Sequence, residues 1–187
     1  MMARTLALLS LLVLALHASP AAAQSDPTAA EHTGLELSVR GGFLAHTNAG
    51  AQLVTMPAAG VGAGYWITPE LGVLVAYDLA HDRRGAEHVW TLQLHHYARA
   101  LVAGRLRVAP AVALFAMGGL GVIVEQHAHH AESSEVWATR AEPTLALSLG
   151  VDVRFGPVTI RFSADASIGE SFADAGGALA LVIPIPH

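Results

Sequence analysis

Positions 158–168 read VTIRFSADASI, and every second residue is apolar. Val158, Ile160, Phe162, Ala164, Ala166 and Ile168 make one face, and Thr159, Arg161, Ser163, Asp165 and Ser167 the other. A period of two predicts a β-strand with two chemically opposite sides. The same alternation recurs over 35–43, 61–67, 71–79, 90–100, 144–154 and 178–183. In the 90–100 stretch, His96 interrupts the apolar face. Positions 108–124 are apolar on both sides, but Pro110 and the glycines at 118, 119 and 121 disfavour a helix there. The pattern therefore predicts eight strands. Tight connections are expected at TPEL (68–71), AGRLR (103–107) and FGP (155–157), and longer ones near 46–56, 80–88, 125–142 and 169–175. Tight turns alternating with longer loops predict an all-β, eight-stranded antiparallel up-and-down transmembrane barrel, with short periplasmic turns and longer extracellular loops.

Composition decides which side of each strand meets what. Of the 187 residues, 53% are hydrophobic and 13% charged, about half the charged content usual for soluble domains. All ten basic residues are arginine, and the net charge is -5 without a basic run, so no footprint for nucleic acid exists. Without cysteine there is no disulfide framework, thiol nucleophile or cysteine-type zinc site.

The first residues, MMARTLALLSLLVLALHASPAAAQS, place Arg4 before an apolar run at 6–16 and small residues at 21–23. That order predicts a secretory signal peptide over 1–23. The run is shorter than the roughly 20 residues of a comfortable membrane helix. A flexible leader is expected at 24–34 and the barrel at 35–187.

The opposing faces carry the charges. Glu36, Arg40, Asp78, Arg99, Glu142, Asp152, Arg154, Arg161 and Asp165 all stand opposite the apolar residues, among many Gly, Ala, Ser and Thr. Eight strands leave a lumen just wide enough to be filled by side chains. Buried charges must pair, so Arg40, Arg99 and Arg161 are expected to form lumen ion pairs with Asp78, Glu142 and Asp165. Phe43, Tyr65, Tyr77, Trp90, Tyr97 and Phe162 are the candidates for interfacial aromatic girdles. With its signal, its strand count, GYWITPELGV and RFGPVTIRFSADAS, the chain resembles small outer-membrane β-barrels of the OmpA transmembrane-domain and OmpX/OmpW-like type. The expected function is that of a nonenzymatic envelope protein with a structural or porin-like role, a polar side-chain-filled lumen and extracellular loops as its interaction surface, monomeric, its partner the outer-membrane lipid of a Gram-negative-type bacterium. The ending ALALVIPIPH departs from the family's terminal aromatic.

Histidine is the remaining unusual feature. EQHAHHAE brings His127, His129 and His130 between Glu125 and Glu132, and the topology gathers His46, His81 and His88 at the same end. Imidazole ligates zinc, copper or nickel, so weak divalent-metal binding is expected at His127, His129 and His130; no other cofactor is expected. An acyl-transfer reading would pair His95 or His96 with Ser133, Ser134 or Ser171, but no motif surrounds them. The alternative from another class is a soluble periplasmic barrel holding a lipid or small apolar ligand, which requires an apolar lumen and a charged exterior.

Overall fold

A computed structural model describes residues 33–48, 53–86, 89–131 and 134–185. The expected signal peptide, nearly all of the leader, His88, Ser133 and His187 lie outside the described residues. The alternating stretches form strands: β1 (Gly34–Asn48), β2 (Val54–Trp66), β3 (Leu71–Ala86), β4 (Val89–Ala109), β5 (Val112–Ala131), β6 (Ser134–Phe155), β7 (Val158–Ile168) and β8 (Phe172–Pro184). Each pairs antiparallel with its sequence neighbours, and β1 pairs with β8, closing the barrel. Where all eight strands pair, closure leaves no unpaired sheet edge, the condition for a β-structure in lipid.

The tight end is built by turn chemistry. Thr68 Oγ1 accepts hydrogen bonds from the N–H of Glu70 and Leu71, at 3.3 and 3.1 Å, and closes β2–β3. Gly156 turns β6 into β7 at φ +59°, a conformation that side-chain-bearing residues adopt at a cost. The turn expected at 103–107 is not there. β4 continues to Ala109 with one register irregularity between Arg107 and Ala109, and the chain reverses at Pro110–Ala111. Proline has no N–H for the ladder, so the pairing ends there.

The other end also differs from expectation. The stretches read as long loops at 80–88 and 125–142 are mostly strand, since β3 runs to Ala86, β5 to Ala131 and β6 begins at Ser134. β4, β5 and β6 have 21, 20 and 22 residues, about twice the 9–11 that a tilted span requires. β7 has 11 residues and pairs with β6 only over 145–155, so residues 134–144 of β6 rise above it, paired to β5 alone. Positions 135–141 of β6 are exposed on both faces, so no apolar face was selected there and no alternation marks them.

Facing is unambiguous in the closed part. Val39, Val61, Val75, Leu120, Leu149, Phe162 and Leu181 point outward and are exposed; Leu120 is 71% exposed. Glu36, Asp78, Arg99, Asp152 and Arg161 point inward and are buried. Of the proposed girdle residues, Phe43, Tyr65, Tyr77 and Phe162 lie on the outer surface. Tyr97 does not: it lies in the lumen at 3% exposure. Its odd position places it on the same face of β4 as His95 and Arg99.

Candidate functional site: the packed lumen

The inward residues form alternating polar and apolar layers. Nearest the tight turns, Arg161 donates to Asp152 through Nε and Nη2 at 2.8 and 3.0 Å, and to Glu36 at 3.1 Å. Arg105 approaches the same two carboxylates at 3.3 and 3.4 Å, and its guanidinium lies 3.6 Å from the centroid of the Trp66 ring. Trp66 in turn donates its indole N–H to Glu36 at 2.7 Å. Two arginines thus meet two carboxylates, and the indole fills the space between. Trp66, Leu74, Leu101, Ala103, Phe115, Met117 and Ala146 form the apolar layer there.

The middle layer is also balanced. Asp78 accepts hydrogen bonds from both Arg40 and Arg99, and Arg40 reaches Asp165 at 3.5 Å. Small residues make room: a Cβ on Gly60 would fall on the Asp78 carboxylate. Arg40, Asp78, Arg99 and Asp165 are thus brought together, as are Arg161, Glu36 and Asp152. Glu142 stands apart. It accepts the N–H and Oγ–H of Ser171, both at 2.7 Å, and pairs with the exposed Arg140 at 2.9 Å. Ser171 therefore donates to a carboxylate, not to a histidine.

Above a second apolar layer of Met56, Ala80, Tyr97, Ile123 and Phe172 lies a third polar layer. His46 binds Asp174 through Nδ1 at 2.6 Å, and Tyr97 donates its hydroxyl to the other Asp174 oxygen at 2.7 Å. His46 Nε2 faces Glu125 at 3.6 Å, and the His46 and His95 rings meet edge-on with centroids 4.5 Å apart. His95 is fully buried.

Chain topology, outward apolar belt and paired lumen charges are together decisive. The fold is that of the small eight-stranded outer-membrane barrels. The chain is similar to Ail, the attachment invasion locus protein of Yersinia pestis (TM-score 0.61, 15% identity, covering 81% of this chain and 98% of Ail). A second Ail structure, in complex with the heparin analogue sucrose octasulfate, aligns at TM-score 0.63 and 13% identity over the same shares. Neisserial surface protein A aligns at TM-score 0.62 and 11% identity, covering 82% of this chain and 98% of that one. No protein-family model matches the chain, and no curated protein sequence does.

On this outer-membrane-type barrel, His127, His129 and His130 are on β5, not in a loop. Extended backbone sends His130 to the face opposite His127 and His129. There it stacks on Trp90, with centroids 5.3 Å apart and the planes 11° from parallel. The three histidines therefore do not converge. His127 lies near the buried layer instead: its ring centroid is 6.1 Å from that of His95, and its Nε2 is 3.9 Å from Glu125. His81 is exposed on the outside of β3. His96, which interrupts the outer apolar face, is held there by the Tyr77 hydroxyl at 2.6 Å and Gln126 at 3.3 Å.

Proposed function

We propose that this chain is a nonenzymatic protein of the bacterial outer membrane, its barrel a closed structural element of the envelope and its raised β4–β6 sheet the interaction surface. One observation carries the reading: an exposed apolar outside encloses buried, paired charges inside. Water would strongly disfavour so continuous an apolar exterior, whereas lipid requires it. A soluble ligand-binding barrel has the reverse arrangement, with its apolar side facing the cavity. The two apolar layers and two ion-pair layers fill the section of the barrel, which favours a packed lumen over a pore. Outer-membrane lipid is then the partner of the belt, and a monomer needs no further contact to cover it. Export through an N-terminal signal belongs to the same proposal.

The test is fractionation and conductance. Expressed with its full N-terminus, the protein should partition with outer membranes, need detergent for extraction and show heat-modifiable gel mobility. Purified protein in planar bilayers should give little or no conductance. Recovery as a detergent-independent periplasmic protein would overturn the membrane reading, and stable porin-sized openings would overturn the closed lumen.

A further inference from the structure

The three polar layers differ in charge balance. The lower pair of arginines meets two carboxylates, and so does the middle pair. Among the described residues the third layer holds two carboxylates, Glu125 and Asp174, and no arginine; its other members are His46, His95 and Tyr97. With neutral imidazoles it lacks two positive charges, and Asp174 has a fully buried side chain. Uncompensated buried carboxylates are strongly unfavourable. Among the described residues, moreover, His95 Nε2 and Glu125 Oε1 are buried without a hydrogen-bond partner. One ligating atom each from His46, His95 and Glu125 lies within 4.8 Å of the other two.

From this we infer that His46, His95 and Glu125 form a binding site for a borderline divalent transition metal, of which zinc is the representative. Two imidazole nitrogens and a carboxylate with one open position are a characteristic zinc donor set. His46 Nδ1 is engaged by Asp174, and Nε2 lies 3.6 Å from Glu125 Oε1. A carboxylate on the far nitrogen fixes the tautomer and ring orientation of a ligating histidine and raises its basicity. Tyr97 holds that carboxylate in place from the other side. Metal–ligand bonds of about 2.0–2.2 Å set tetrahedral ligands roughly 3.3 Å apart, so the three side chains must close by about 1.5 Å or less. The apolar layer beneath keeps one side dry, and half-exposed His127 stands on the side toward water, as fourth ligand or entry point. Protonating both histidines would also balance the charge. It would, however, set two imidazolium rings 4.5 Å apart and give His95 Nε2 a proton with no acceptor.

The experiment uses detergent-refolded protein, stripped with chelator and checked for folding by heat-modifiable mobility. Zinc is titrated in competition with a chromophoric chelator, and cobalt(II) is added separately to the parent. Expected are one zinc per barrel, an intense visible band of tetrahedral or five-coordinate cobalt, and at least tenfold weaker zinc binding in His95→Ala and Glu125→Gln. His129→Ala/His130→Ala should bind like the parent. The proposal is overturned if the folded parent neither competes for zinc nor gives the cobalt band. It is equally overturned if folded His95→Ala binds as the parent does, or if His129→Ala/His130→Ala abolishes binding. Absence of the cobalt band in the folded parent overturns the proposal even if the variants do not fold.

Discussion

Asp78 is the hinge of the middle lumen layer, and replacing it with asparagine tests the packing argument quantitatively. Its carboxylate takes hydrogen bonds from Arg40 Nε and Nη2 and from Arg99 Nη2. Asp78→Asn keeps the volume but removes the charge, leaving two guanidinium groups against Asp165 alone. Arg99 is 7% exposed in its side chain and Arg40 16%, so water compensates little. Breaking a buried ion pair by removing one partner costs about 3–5 kcal/mol. Asp165→Asn is the internal control. Its contact with Arg40 is 3.5 Å long, Arg40 keeps Asp78, and its Oδ1 is buried without a hydrogen-bond partner, so the cost should be about 1 kcal/mol, the net worth of a single hydrogen bond. Asp78→Asn/Arg99→Gln restores the charge balance, and its cost should fall short of the sum of the single changes by at least about 1 kcal/mol. Urea unfolding of protein folded into lipid vesicles, with the folded fraction read from unheated gels, measures all three. The argument fails if Asp165→Asn costs as much as Asp78→Asn, or if the double variant is simply additive.

Three further outcomes follow from the same geometry. Leu147→Arg, on the outer face of β6 opposite Gly118 and Ala166, should destabilise the barrel in vesicles by about 2–4 kcal/mol, the range for arginine near the bilayer midplane; refolding titrations read this directly. Gly150→Ala would place a Cβ 1.9 Å from the Phe162 carbonyl oxygen and 2.6 Å from the Phe115 ring. Overpacking of this kind costs about 1–3 kcal/mol, and the displaced Phe115 carries the Arg161 guanidinium with it, which unfolding midpoints should register. Ser171→Ala removes one of the two hydrogen bonds that Ser171 gives Glu142 and should cost about 1–3 kcal/mol, seen as faster amide exchange at the β7–β8 connection with the rest of the barrel unchanged.

The architecture was legible because lipid and a packed lumen impose opposite chemistries on successive residues. Where both conditions hold, as along 158–168, alternation identifies the strand and the direction of each side chain. Arg40, Asp78, Arg99 and Asp165 all follow from it. Where one condition lapses the signal fades. The raised ends of β3, β5 and β6 lose the two-sided selection, so 80–88 and 125–142 have the composition of loops although their ladders are continuous. The inward placement of Tyr97 was available from its odd position on β4, but aromatic composition suggested a girdle instead. Glu142 pairs at the rim because its position lies beyond the end of the β6–β7 ladder, a boundary that depends on the length of β7.

The histidine–glutamate layer shows what periodicity leaves undetermined. A period of two gives the face on which a residue points, whereas its height against another strand depends on register, and register is fixed by where the hairpin closes. A hairpin closed at 103–107, as expected from AGRLR, would set His95 opposite roughly position 115, an apolar stretch. The hairpin closes at Pro110–Ala111, and His95 stands opposite Glu125. The same holds across the closure of the barrel, where His46 meets Asp174 only because β8 pairs with β1 in that register. Five residues of relocated turn therefore separate an isolated buried histidine from a cluster of metal-ligating groups. His127, His129 and His130 stand close together in sequence, yet neighbouring positions in a strand divide their side chains between opposite faces. Residues that converge in a small barrel belong to different strands at equal height, so the chemistry of its lumen must be sought in pairs related by register.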